Sequence, residues 1–303
     1  MRQTSGRTQE NDPPSDQDRT GPPPVTELAV AEPPIAAESP HYNATITRRE
    51  DLTESLAFFW VAHDGAPIAF EPGQYLTIGV ESNGKLVQRP YSVASSARET
   101  ADGYEFYVRL VNGGIFTPLL WRLQPGAGMS MKGPKGKFML EPDDDRRHVF
   151  ISSGTGVAPF ISMMKTRLAD GAPRPAVLLH GASYEHDLGY RSLVEAWAAD
   201  GTYPVTYVPT ISRPGNPENT RWEGRVGRAE SIVPAVYDEL DLTPDDSIAY
   251  ICGNPDMIAA VDAILLDRGF PEEQIKKELY WPKGKEPKRV VPAGVAASVP
   301  PQP

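Results

Sequence analysis

The sequence predicts a two-domain protein, an antiparallel β-barrel followed by an α/β domain with a doubly wound parallel sheet. Three observations predict it. The chain has 303 residues, more than a single hydrophobic core usually organises. Residues 42–142 hold short β-rich segments separated by turn residues, as in a small barrel. From Arg147 on, near-continuous apolar runs alternate with helical stretches, as in strands buried on both faces of a parallel sheet.

The elements follow in order. Residues 1–41 carry eight prolines, many polar residues and almost no aromatics, so they read as a disordered tail. In the barrel, strands are expected at 75–80, 91–94, 104–111 and 128–132. Turns fall at Glu81-Ser82-Asn83-Gly84, Ala101-Asp102-Gly103 and Gln124-Pro125-Gly126. A short helix is expected at 118–123, started by Thr117. The α/β domain spans 143–281. Its strands are expected at 148–152, 176–180, 205–210 and 248–252, and its helices at 158–169, 190–199, 228–240 and 255–267. A last short strand covers 278–281 and ends at Pro282. Residues 282–303 are proline-rich again and read as a flexible tail.

Composition narrows the function. Apolar residues make up 40% and charged residues 23%, with a formal net charge of -10, which is ordinary for a soluble globular chain. An acidic chain lacks the basic footprint that nucleic acid requires. No apolar run approaches the roughly 18 residues of a membrane span, and no secretory or transit signal is legible. A cytoplasmic monomer is the expectation. The single cysteine, Cys252, rules out an internal disulfide and an iron–sulfur cluster ligated within this chain. His41, His63, His148, His180 and His186 show no metal-ligand spacing, so no metal is expected.

Several short motifs carry chemistry. Gly154-Thr155-Gly156 follows the first parallel strand and opens a helix, where backbone N–H groups can approach a diphosphate. The same spacing also suits a tight turn with no ligand. Arg89-Pro90-Tyr91-Ser92 offers a cation, an aromatic face and a small hydroxyl as it enters a strand, and residues two apart share a face. A half-buried strand with an exposed arginine would read alike. Gly113-Gly114-Ile115-Phe116-Thr117 is a second glycine-led helix start, with Thr117 able to cap the helix or bind phosphate. Cys252-Gly253-Asn254-Pro255 lies at the carboxyl end of a parallel strand, where α/β domains place ligands. Ser212-Arg213 and Arg225 could hold an extra phosphate. Glu278-Leu279-Tyr280-Trp281 is either an edge strand or an aromatic lid.

In this order, these motifs resemble the ferredoxin–NADP(+) reductase family, the bacterial type in particular, over residues 43–281. Gly133-Pro134-Lys135-Gly136 and Asp256-Met257 belong to the same resemblance. It implies an FAD-binding barrel, an NADP-binding α/β domain and hydride transfer between NADPH and flavin N5. On the FAD side it implies Arg89, Pro90, Tyr91, Ser92, Tyr107, Gly114, Ile115, Phe116, Thr117, Thr155, Tyr280 and Trp281. On the NADP(H) side it implies Gly154, Thr155, Gly156, Ser183, Ser212, Arg213, Arg225, Gly253, Asn254 and Pro255. Ser92, Cys252, Glu278 and Tyr280 match the catalytic group, with Tyr280 stacked on the flavin.

Two departures stand out. Ser183 takes the place of a further phosphate-binding arginine, which implies a weaker NADP preference. The chain also continues 22 residues past Trp281. The implied partner is ferredoxin or flavodoxin. Since such carriers are usually acidic, docking is expected on a basic patch of Arg48, Arg49, Lys276 and Lys277 with the C-terminal lysines. Alternatives are the reductase component of an oxygenase system, an NADPH-dependent flavin reductase and, as a different class, a non-catalytic NADP-sensing protein.

Overall fold

The computed structural model describes residues 33–142 and 144–279. The readings made on residues 1–32 and 280–303, Tyr280 and Trp281 among them, lie outside the described residues.

The first half is a six-stranded antiparallel sheet, β1 (Ala44–Thr53), β2 (Leu56–His63), β3 (Tyr75–Ser82), β4 (Lys85–Ser92), β5 (Tyr104–Arg109) and β6 (Gly128–Lys135). Its strand order is β4-β3-β6-β1-β2-β5. It wraps one core that takes Ile46, Phe59, Leu76, Phe106 and Met129 from five of the strands. The β3–β4 hairpin turns at Asn83 and Gly84, with φ of 52° and 68°, the left-handed pair that a tight hairpin needs. This turn starts β4 at Lys85, opposite Ser82. Arg89-Pro90-Tyr91-Ser92 therefore closes a strand rather than entering one. Residues 34–41, assigned to the tail by composition, lie against β3. Ile35 bridges to Ser82, and Ser39 donates to Glu81 at 2.6 Å.

Helix α1 (Thr117–Trp121) is a single turn between β5 and β6. Thr117 does not cap it. Phe116 occupies the N-cap in helical backbone without a side-chain bond, and the Thr117 hydroxyl instead accepts the Val111 N–H at 2.9 Å.

The second half is a six-stranded parallel sheet, β7 (Arg147–Ser153), β8 (Ala176–Ala182), β9 (Val205–Ile211), β10 (Arg225–Val226), β11 (Ser247–Gly253) and β12 (Ile275–Leu279). The order is β10-β9-β8-β7-β11-β12, which reverses direction between β7 and β11. Helices α2 (Ala158–Ala169), α3 (Arg191–Asp200), α4 (Ala229–Glu239) and α5 (Pro255–Asp267) cover the sheet. Alternate residues of β7 serve its two faces. Val149 and Ile151 pack with Val233 and Val261, while Phe150 packs with Phe160, Val194 and Trp197.

That second cluster does not stop at the sheet. It continues into Leu56, Phe58, Tyr107 and Phe138 of the barrel, so one apolar core joins the halves. Polar contacts fix their angle. Ser162 of α2 donates to the Ser95 carbonyl at 2.8 Å, and Thr166 accepts the Ala97 N–H at 2.9 Å. Buried Glu105 accepts from Lys165 at 2.6 Å and from the Tyr190 hydroxyl at 2.6 Å. A buried carboxylate is tolerable only with such partners.

Candidate active site

A cavity of about 660 Å³ opens where the barrel meets the carboxyl ends of the parallel strands. It sits at β7 and β11, where the strand order reverses, the usual ligand crevice of such sheets.

From the α/β side come Ser153, Gly154, Thr155 and Ala158, then Gly253, Asn254 and Pro255. Gly154 begins a short 3-10 turn (Gly154–Val157) leading into α2. Its φ is +54°, and a Cβ there would meet nothing within 4 Å. Gly156 is glycine for a different reason. A Cβ would stand 2.4 Å from the Cys252 carbonyl oxygen, so this residue lets β11 approach and does not line the cavity. Asn254 caps α5 by accepting the Asp256 N–H at 2.8 Å, and Ser153 accepts the Asn254 N–H at 2.9 Å. The N-termini of α2 and α5 thus both flank the cavity, and each favours negative charge.

From the barrel come Arg89, Pro90, Tyr91 and Ser92, then Tyr107, and Gly114, Ile115, Phe116 and Thr117. All nine residues placed on the FAD side from β4, β5 and the α1 approach therefore share one wall. Gly114 turns tightly, its N–H on the Val111 carbonyl at 2.8 Å. Burial pushes the Tyr91 phenol well above its ordinary pKa, against the opposing pull of Arg89. The Tyr107 hydroxyl donates to the Asp187 carbonyl at 2.9 Å and accepts the Gly189 N–H at 3.1 Å, so Tyr107 also seals the interface.

Arg109 lines the same wall and pairs with the buried Asp187 at 2.7 Å. Sequence reading missed it, although its place two residues after Tyr107 on one strand face was a usable signal. Among the described residues, the lining contains two guanidinium groups and no carboxylate. Ile115 stays 67% exposed at its edge. Two cations, two helix N-termini and an uncovered apolar rim fit a ligand that combines diphosphates with aromatic rings.

The four catalytic candidates separate. Ser92 is in the wall. Cys252 and Glu278 are register partners across β11 and β12, outside the lining. Cys252 is fully buried in the core that joins the halves. Burial raises the pKa of Glu278 above the usual carboxylate value. Tyr280 lies just past the last described residue.

The second phosphate group separates too. Ser183, Ser212 and Arg213 follow the ends of β8 and β9, where the Ser212 N–H donates to the Ala182 carbonyl at 2.9 Å. Arg213 donates to the Tyr184 hydroxyl at 2.7 Å, a partner the sequence reading did not name. Arg225 has a further partner. It sits on β10 opposite Thr210 and is engaged by Glu239 of α4 in a two-point ion pair.

In the expected basic patch the four described residues each meet an acidic partner, and the C-terminal lysines lie outside the described residues. Arg48 pairs with Glu50 at 2.5 Å, and Lys277 with Asp262 at 2.8 Å. Lys276 pairs with Glu141. Arg49 has only 9% of its side chain exposed and pairs with Asp51 at 2.7 Å. Each charge is neutralised close by.

A barrel and a doubly wound sheet meeting over one anion-favouring cleft define a two-domain reductase of the flavin and nicotinamide type. Comparison with known proteins agrees. Residues 43–140 match the oxidoreductase FAD-binding domain, and residues 150–263 match the oxidoreductase NAD-binding domain. The ferredoxin–NADP reductase B of Sorangium cellulosum is 34% identical over 220 residues, 72% of this chain and 88% of that protein. The phenol hydroxylase P5 protein of Acinetobacter pittii is 30% identical over 79% of this chain, but the chain spans only 65% of that protein. Among solved structures, an Amycolatopsis cytochrome P450 reductase, GcoB, superposes with a TM-score of 0.67 at 28% identity, over 80% of this chain and 70% of that one. A Neisseria gonorrhoeae ferredoxin NADP+ reductase with bound FAD and NADP shares the fold, with a TM-score of 0.68 at 24% identity over 80% of this chain and all of that one.

The chain belongs to the ferredoxin–NADP reductase family. It is an oxidoreductase whose cofactors are FAD and NAD(P)H. No described helix is long and apolar enough to cross a membrane.

Proposed function

We propose that the protein is a ferredoxin– or flavodoxin–NADP(+) reductase. The observation that carries this is the cavity of about 660 Å³ that brings the Arg89–Ser92 and Gly114–Thr117 wall opposite the Gly154 and Asn254 helix starts. FAD held in this cavity would supply the hydride and single-electron chemistry.

The chain supplies position and charge. Arg89 and the Gly114–Thr117 wall hold the flavin diphosphate, with Tyr91 and Tyr107 as apolar walls beside the ring. Gly154, Thr155, Gly253, Asn254 and Pro255 take the nicotinamide nucleotide between two helix N-termini. Ser92 presents its hydroxyl at the reacting edge, and Cys252 with Glu278 supports that edge from behind. Ser183, Ser212 and Arg213 select the 2′-phosphate, while Arg225 has a lesser part because Glu239 holds it.

For the carrier, Lys132, Lys135 and Lys137 replace the neutralised patch. They have no ion pair among the described residues. Lys135 is the register partner of Tyr75, and Tyr75 that of Ser92, so the lysine row begins two strands from the cavity wall. Such a row suits an acidic protein surface.

The likeness to the phenol hydroxylase P5 protein favours a second reading, a reductase component of an oxygenase. The 303 residues hold one cysteine, so they ligate no iron–sulfur cluster of their own. A panel of purified ferredoxins, flavodoxins and oxygenase components, assayed with NADPH, tests the two readings. Fast reduction of a ferredoxin or flavodoxin supports the first. Reduction of an oxygenase component alone supports the second.

A further inference from the structure

His180 stands on β8 with no exposed surface, outside the cavity lining, and no reading above uses it. Both of its ring nitrogens are engaged. Nε2 is 3.1 Å from the Gly154 carbonyl oxygen, and Nδ1 is 3.3 Å from the Tyr207 hydroxyl. A carbonyl can only accept, so Nε2 carries the hydrogen and Nδ1 accepts from Tyr207. Burial keeps the ring neutral, with its pKa pulled down to about 4.

Gly154 is the residue at which the chain leaves β7 in left-handed backbone and enters the turn before α2. Above it, where a Cβ would stand, nothing lies within 4 Å. The first residue of this turn is therefore open on the cavity side and anchored from beneath. In a trans peptide the C=O and the following N–H point in opposite directions. Tying the Gly154 carbonyl to His180 thus sets the direction of the Thr155 N–H away from His180. An imidazole among Leu178, Leu179 and Val177 of the same strand offers less than leucine in burial alone. Its return is orientation of this peptide.

We propose that His180, its ring held between the Gly154 carbonyl and the Tyr207 hydroxyl, is a positioning residue that sets the Gly154-Thr155 turn for the nucleotide diphosphate. This rests on the reading of that turn as the nucleotide loop.

The test is calorimetric binding of NADP+ to the FAD-loaded protein, with amide hydrogen exchange at residues 155–157 as a second readout. His180→Leu strands the carbonyl and should weaken NADP+ by about tenfold and speed exchange at those amides. His180→Gln keeps a donor at the same reach and should stay within about twofold of wild type. Tyr207→Phe removes only the hydroxyl that steadies the ring at Nδ1, and should weaken NADP+ by about threefold. Wild-type binding and exchange in both His180→Leu and Tyr207→Phe would overturn the assignment, as would equal losses in His180→Leu and His180→Gln. A wild-type protein that takes up FAD but no NADP+ would instead overturn the nucleotide reading itself.

Discussion

Arg109 of the barrel and Asp187 of the α/β domain form an ion pair of 2.7 Å at the rim of the cavity. Asp187 is 4% exposed, and its carbonyl also holds the Tyr107 hydroxyl. The pair therefore does two things: it keeps a cation in the wall, and it fastens the two halves beside the reacting centre.

Arg109→Ala should leave the Asp187 carboxylate buried without its main partner. We expect a loss of about 2 kcal/mol, seen as a melting temperature lower by about 4–8 °C. The flavin should also be reduced more slowly at saturating NADPH, since the halves are less firmly aligned. An unchanged melting temperature would show that the pair contributes nothing.

Arg213→Ala and Arg225→Ala should part company. Loss of a charge-assisted contact to the 2′-phosphate costs about 1.5–3 kcal/mol, so Arg213→Ala should raise the KM for NADPH by tens of fold and leave NADH nearly unaltered. Arg225→Ala should change the NADPH/NADH ratio little, because Glu239 already holds that guanidinium. Equal effects from both variants would restore Arg225 to the phosphate site.

His148 and His180 make the fold sensitive to mild acid. Burial pulls each ring down to a pKa of about 4, against about 6.5 in an unfolded chain. Between those values the unfolded chain binds the proton and the folded one does not. Stability should therefore be flat above about pH 6.5 and fall as the pH drops toward 4, by about 3 kcal/mol for each ring. Neither His148 nitrogen has a hydrogen-bond partner among the described residues. His148→Leu should thus be at least as stable at pH 7 and lose roughly half the acid sensitivity, as urea unfolding at several pH values would show.

Lys135→Glu should raise the KM for an acidic carrier severalfold at low salt, and the difference should shrink as ionic strength rises. Reduction of ferricyanide by NADPH should be unaltered. A carrier KM that ignores both charge and salt would place docking elsewhere.

What the sequence revealed follows from where the physics is local. The parallel strands were legible because burial on both faces leaves an unbroken apolar run. The Gly154 turn was legible because backbone geometry dictates its residue type, whereas the capping role of Asn254 was not read from the sequence. The strands β1 and β2 were not marked out, since Arg48, Arg49, Glu50 and Asp51 interrupt the apolar alternation of β1, and only its pairing with β2 makes it a strand. Thr117 read as a cap because its residue type allows it, but the hydroxyl went to Val111. The fates of Arg225, Arg49, Arg109 and His180 depend on partners 14 to more than 70 residues away, which no local pattern encodes.

The claim that one cavity serves both cofactors is tested most directly by mixing the FAD-loaded protein anaerobically with NADPH and following flavin absorbance by stopped flow. A single cavity predicts rapid, stoichiometric bleaching, faster with NADPH than with NADH. Bound FAD that NADPH leaves oxidised would contradict it.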